Sequence, residues 1–132
     1  MMKSSSPSDN LFRYESVVTH TSKLYPTVTF TVRRMSFARR CELAHRVREL
    51  SRKMEFLQAG ESVQDKLEAT ILNTEISSLY VSWGLVSIDG IELDGQPGTP
   101  ELMLAEGPED LCNEIVAAIQ AECGLSKEER KN

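Results

Sequence analysis

The stretch "SFARRCELAHRVRELSRKMEFLQAGES", residues 36–62, decides how this chain folds. On a helix at about 100° per residue, with Phe37 at zero, Leu43, Val47, Leu50, Met54 and Leu57 fall in one arc between about 200° and 280°. Phe37, Cys41 and Ala44 are expected to extend that arc at its N-terminal end. Ser36 supplies an N-cap hydroxyl. Gly60 suits the left-handed residue that follows a helix. Ser62, with Asp65 three positions on, forms a near capping box that starts a second helix. A connection of one or two residues turns the two helices into an antiparallel hairpin. The second helix carries Leu67, Leu72, Ile76, Leu79, Tyr80 and Trp83 and ends at Gly84.

The first helix is rich in arginine, which raises nucleic acid as a partner. The wheel argues against it. Arg39, Arg46 and Lys53 lie on one margin of the apolar arc, and Arg40, Arg48 and Arg52 lie beyond the other. Glu42–Arg46 and Glu49–Lys53 stand at the favourable i, i+4 spacing. A groove-reading helix needs its basic groups on one face of a basic domain. This chain has a net charge of −5 and a pI near 5.1. The basic side chains read as charged flanks of a core helix, whose attraction is to an acidic surface in the same chain or on a partner. Arg33 and Arg34 precede any helical glutamate and are the least accounted for.

Upstream, "TVTFTVR" alternates Val28, Phe30 and Val32 with threonines, the pattern of a half-buried strand. The β-leaning run from Phe12 to His20 pairs with it through "TSKLYP", with Pro26 at the strand start. Downstream, Asp89-Gly90 between "VSI" and "IEL" predicts a small hairpin of Val86–Ile88 with Ile91–Leu93. Thr99-Pro100 caps a short helix. Pro108 opens the last helix, which places Leu111, Cys112, Ile115, Val116 and Ile119 on one stripe and closes at Gly124. Ser126 and Glu129 begin a further helical turn. The fold class is therefore α+β, mostly helical: an N-terminal strand pair, a long αα-hairpin, a small β-hairpin and C-terminal helices. Residues 1–10 are expected to be a disordered tail, 11–125 one domain and 126–132 a polar tail.

No apolar run approaches the ~20 residues of a membrane helix, and "MMKSSSPSDN" lacks a signal peptide's apolar segment. Cys41, Cys112 and Cys123 are odd in number, far apart and without C-x-x-C spacing. They read as buried or part-buried thiols rather than disulfides or zinc ligands. His20 and His45 have no neighbouring nucleophile or ligand pattern, and His45, beside the apolar stripe, reads as a part-buried helix histidine. The acidic run at Asp89, Glu92 and Asp94 fails the calcium-loop spacing. The expectation is no catalytic residue, no metal and no cofactor. Charge is uneven: residues 1–66 carry 12 basic and 7 acidic side chains, residues 67–132 carry 3 and 13. Such asymmetry marks an interaction surface or halves that attract each other. Tyr80 and Trp83 end the second helix as candidate partner anchors, and Met103 adds adaptable apolar surface.

The order of "TVTFTVRRMSF", a long charged helix, a helix ending "LYVSWGL" and the acidic "GPEDLCNEIVAAIQAECGLSKEERKN" resembles the small tail assembly chaperones of long-tailed bacteriophages and prophages. The resemblance covers about residues 25–132 and rests on size, element order and the "WGL…DG" and "AECGLS" stretches. It implies a non-enzymatic protein of the host cytoplasm that binds the helical tape measure protein and recruits tail tube protein. It also implies, for many such genes, a longer product made by frameshifting. A homo-oligomer is compatible with it. The candidate partner-binding residues are Arg33, Arg34, Tyr80, Trp83 and Met103. The competing readings are a tail or neck subunit that stays in the virion, and a small nucleic-acid-binding regulator.

Overall fold

The computed structural model describes residues 10–124. They form an α+β, mostly helical fold. In chain order it runs β1 (Val17–Thr21), β2 (Thr29–Arg33), α1 (Phe37–Gln58), α2 (Val63–Gly84), β3 (Leu85–Asp89), β4 (Glu92–Leu93), β5 (Gln96–Pro97), α3 (Pro100–Glu106) and α4 (Glu109–Glu122). One antiparallel sheet has the order β1-β2-β3, and β4-β5 form a separate hairpin. The expected helix start at Ser126 and the polar tail lie outside the described residues, as does all but the last residue of the N-terminal tail.

The alternation of β2 sets the sheet's two faces. Val28, Phe30 and Val32 are buried, while Thr31 reaches across to Thr19, hydroxyl to hydroxyl at 2.8 Å. β1 is shorter than the run expected from Phe12. It begins at Val17, opposite Arg33, where β2 ends. Upstream of Val17 there is no strand left to pair with, and Phe12 is exposed.

The helix caps form as the hydroxyl positions predict. Ser36 Oγ accepts from the Arg39 N–H at 3.2 Å, Ser62 Oγ from Asp65 at 3.0 Å, and Thr99 Oγ1 from Leu102 at 3.1 Å. Each satisfies a helix-end donor that has no partner inside its own helix. α1 and α2 are antiparallel. The α1 arc from Leu43 to Leu57 and Ala69, Leu72, Ile76, Leu79 and Trp83 of α2 each recur in steps of four and three, the spacing of a coiled-coil seam. Gly60 departs from expectation: it is not left-handed. α1 closes on Ala59, whose N–H reaches the Glu55 carbonyl at 3.1 Å, and the left-handed glycines are Gly90, Gly95 and Gly124. A Cβ at Gly60 would meet the Asp65 carboxylate, the end of a part-exposed side chain that can turn aside.

Phe37 and Cys41 do not extend the buried arc; both are exposed, and so is His45. At about 0°, 40° and 80° on the wheel they point well away from a stripe centred near 240°. The small hairpin also forms elsewhere than expected. β3 follows α2 directly and pairs with β2, Phe30 opposite Ile88, instead of with Ile91–Leu93. Gly90 turns the chain against the Thr27 carbonyl, in space a Cβ would occupy. The two-residue turn falls on the next Asp-Gly pair, Asp94 at φ 52° and Gly95 at φ 80°, both left-handed as such a turn requires.

The core sits where α2 and α4 meet the sheet. It gathers Phe30, Val32, Leu85 and Ile88 from the strands, Tyr80 and Val81 from α2, and Leu111, Ile115, Ile119 and Cys123 from α4. Leu43, Val47 and Met103 close its edges. Beyond it the α1–α2 hairpin extends as an arm. Between Val47 and Tyr80 only Ala69 is fully buried.

Candidate interaction surface

The basic margins of α1 have distinct local accounts. The Arg39 guanidinium lies 4.3 Å from the centre of the Trp83 ring and Arg46 lies 5.4 Å from it. Two cations against one indole ring occupy the margin that sequence reading identified. Arg40 lies over Phe37 at 5.9 Å. Neither Glu42–Arg46 nor Glu49–Lys53 closes to an ion pair within 4 Å, whereas His20 and Arg34 both approach Glu122 within that distance. Arg46 reaches the tryptophan in place of its expected glutamate.

Arg34 ties the basic half of the chain to the acidic half. Its Nε donates to Glu122 Oε1 at 3.3 Å and its Nη1 donates to the Glu15 carbonyl at 3.2 Å. His20 Nε2 sits 3.9 Å from the other oxygen of Glu122, with the imidazole stacked on Phe30. Nearby, Glu114 accepts from the Ser22 hydroxyl at 2.6 Å and from the Lys23 N–H at 2.7 Å, while Tyr25 donates to Asp110. That hydrogen bond and the Asp110 charge hold the Tyr25 phenol above its ordinary value. Together these contacts fasten the β1–β2 loop to α4. Arg33 is exposed at the end of β2.

Of the other expected partner anchors, Trp83 is half-buried beneath its arginines. Tyr80 and Met103 are each about 1% exposed, so they pack the core and offer no surface. Their chemistry fits both roles, and only their position relative to α4 decides between them. Cys123 is buried and Cys112 half-buried, as expected, but Cys41 is exposed. Burial comes first among the causes that push the Cys112 and Cys123 thiols up.

The surface that the sequence did not disclose is the outer side of α2. Val63, Leu67 and Ile71 recur at i, i+4 and i+8 and are 75%, 60% and 58% exposed. Leu67 looks like a core residue in sequence. Its wheel position, on the side away from Leu72, Ile76 and Leu79, is the signal that separates it. Burying such a side chain contributes about 1.5–3 kcal/mol, so three left in water on one row form a patch suited to a partner. Further along the same side, Val81 and Gly84 are covered by the body of the protein, where the Gly84 Cα faces Ile119 of α4.

Open clefts line this side. One, of about 330 Å³, lies between Thr74, Ser78 and Ser82 of α2 and Leu104 of α3. Another, of about 340 Å³, continues over Ser77 and Val81 to Cys112 and Glu109 at the start of α4. The charge around them has one sign. From Leu67 to Gly124 the chain contains no lysine, arginine or histidine, while Glu68, Glu75, Glu106, Glu109 and Asp110 are all present. Lys66, the single basic residue of α2, donates to the carbonyls of Gly60 at 3.1 Å and Gln58 at 3.4 Å.

Among the described residues, no group of His, Cys, Asp and Glu side chains is arranged to hold a metal ion, and no helix is long and apolar enough to cross a membrane. Comparison with protein-family models, curated proteins and solved structures gives no match for this chain.

Proposed function

We propose that this protein is a non-catalytic binding protein for helical clients, and specifically a tail assembly chaperone of a long-tailed phage. In this reading it holds the tape measure protein soluble in the host cytoplasm and delivers it to tail tube subunits. One observation supports it above the others: an arm of two helices extends from a compact core and leaves the apolar row Val63, Leu67 and Ile71 in water. A row at helical spacing, next to open clefts, is the surface that helix-in-groove recognition uses. Exposed glutamates around it favour an exchangeable contact, because rim charges set encounter rate and specificity more than tight affinity. The resemblance in element order and the acidic last helix supplies the client's identity.

The test is co-expression with a tape measure protein, the long helical client this reading assigns. The expected result is a several-fold rise in its soluble yield and co-purification of the two chains. An unchanged yield with no co-purification would sink the chaperone reading.

A further inference from the structure

The outer side of α2 is half covered. Toward its C-terminal end, α3 and α4 pack on it: Val81 is buried and Gly84 lies directly beneath Ile119. Toward its N-terminal end, the same side carries Val63, Leu67 and Ile71 with nothing over them. The exposed row and the covered row are one continuous surface, and the covered part already takes a helix. From Val63 to Ser78, short of the buried Val81, it is about 22 Å long, room for roughly four helical turns.

We infer that this outer side of α2 seats one amphipathic helix of a partner protein whose apolar stripe is flanked by lysine or arginine. The inference rests on the reading of the chain as a binding protein for helical clients, and adds the place and the charge. The charge follows from the margins. Glu68 and Glu75 lie seven residues apart along one edge, and Glu109 stands at the far cleft. Lys66 is turned to backbone carbonyls at the hairpin tip. Lys53, on α1, shares a cleft with Glu68 and Glu75 but makes no ion pair with either within 4 Å, leaving both carboxylates open to a partner. A basic-flanked helix would place cations against these carboxylates, whereas an acidic-flanked one would meet like charge.

A second copy of the chain fits poorly. Two α2 surfaces brought together oppose glutamate to glutamate. The outer face of α1 is basic enough, with Arg48 and Arg52, but Phe56 is the one large apolar side chain exposed near them. Three aliphatic side chains also fall well short of the roughly 800 Å² per partner that a stable dimer buries.

The experiment uses the full chain and two synthetic helical peptides of about 18 residues. Both carry leucines at i, i+3, i+4 and i+7, one flanked by lysines and the other by glutamates. Fluorescence anisotropy should show the lysine-flanked peptide binding at least about tenfold more tightly at low salt, with the preference shrinking as salt rises. L67E should abolish binding while its far-ultraviolet circular dichroism and urea midpoint stay close to the parent's, as Leu67 is largely exposed. The double variant E68K/E75K should reverse the peptide preference. Equal binding of the two peptides, an unreversed preference in E68K/E75K, or full binding by L67E would each overturn the inference. So would light scattering that shows a dimer dissociated by L67E, because a second copy would then be the occupant. If peptide binding behaves as expected but the tape measure protein stays insoluble on co-expression, the surface stands and the chaperone reading falls. The reverse pattern spares the function and removes the surface.

Discussion

Gly84→Ala probes the contact that anchors the arm to the body. Gly84 is the last residue of α2 and is buried against α4. A Cβ placed there would lie 2.6 Å from Ile119 Cγ2, 2.8 Å from Cγ1 and 2.9 Å from Cδ1. Ile119 is fully buried at the centre of the α4 stripe, so its side chain has no free direction in which to swing. Overpacking of this kind costs about 1–3 kcal/mol. Alanine recovers at most about 1 kcal/mol of helix propensity, and less at a helix end. The expected net loss is about 1–2 kcal/mol. It should be read as a lower urea midpoint at unchanged slope, which separates lost stability from a changed unfolded state. Ile119→Ala alone should cost about 2–5 kcal/mol through the cavity it leaves. In the double variant the new methyl enters that cavity, so the combined loss should fall short of the sum by about 1 kcal/mol or more. A neutral or stabilising G84A, or strict additivity with I119A, would refute the close approach of α2 and α4.

Three further outcomes are expected. Trp83 is the only tryptophan, so its emission reports the arginine stack directly. R39A and R46A should each cost no more than about 1 kcal/mol, and the pair should shift the emission to the red as the indole meets water. The Glu106 carboxyl is held above its ordinary value by the hydrogen bond its protonated form donates to Asp94, and then by the charge of the Asp94 carboxylate. The folded protein therefore binds this proton more tightly than the unfolded chain, so stability falls as pH rises through the raised value and returns as pH drops. Unfolding midpoints measured across that window should lose this slope in E106Q. Thiol labelling in the native state should modify Cys41 first and Cys112 slowly, and should reach Cys123 only on unfolding, because burial keeps the last two protonated and screened. Fast modification of Cys123 would contradict its place in the core.

What the sequence made legible was local chemistry. The valine–phenylalanine–threonine alternation gave β2 its faces, and three hydroxyl residues placed three helix starts, because each of these signals spans only a few residues. The miss at the hairpin has a non-local cause. β3 pairs with β2 across the whole αα-hairpin, an association with no mark in the residues near Asp89-Gly90, so that dipeptide looked like the turn that Asp94-Gly95 makes. β1 was overextended for a related reason, since a β-leaning run is a strand only as far as its neighbour reaches. At the candidate surface, charge asymmetry pointed to interaction, but aromaticity and flexibility drew attention to Tyr80 and Met103, which α4 and the sheet enclose. The exposed row of α2 was hidden because a leucine on a helix carries no label for which side the body will cover.

Hydrogen–deuterium exchange of the full chain, free and with its helical client bound, tests the account most directly. Protection gained over residues 63–82 of α2 and 100–113 of α3 and the start of α4, with the arginine margin of α1 and the β1–β2 sheet unchanged, is the predicted result. Protection concentrated on Arg39–Lys53 or on the sheet, with α2 exchanging as in the free protein, would contradict it.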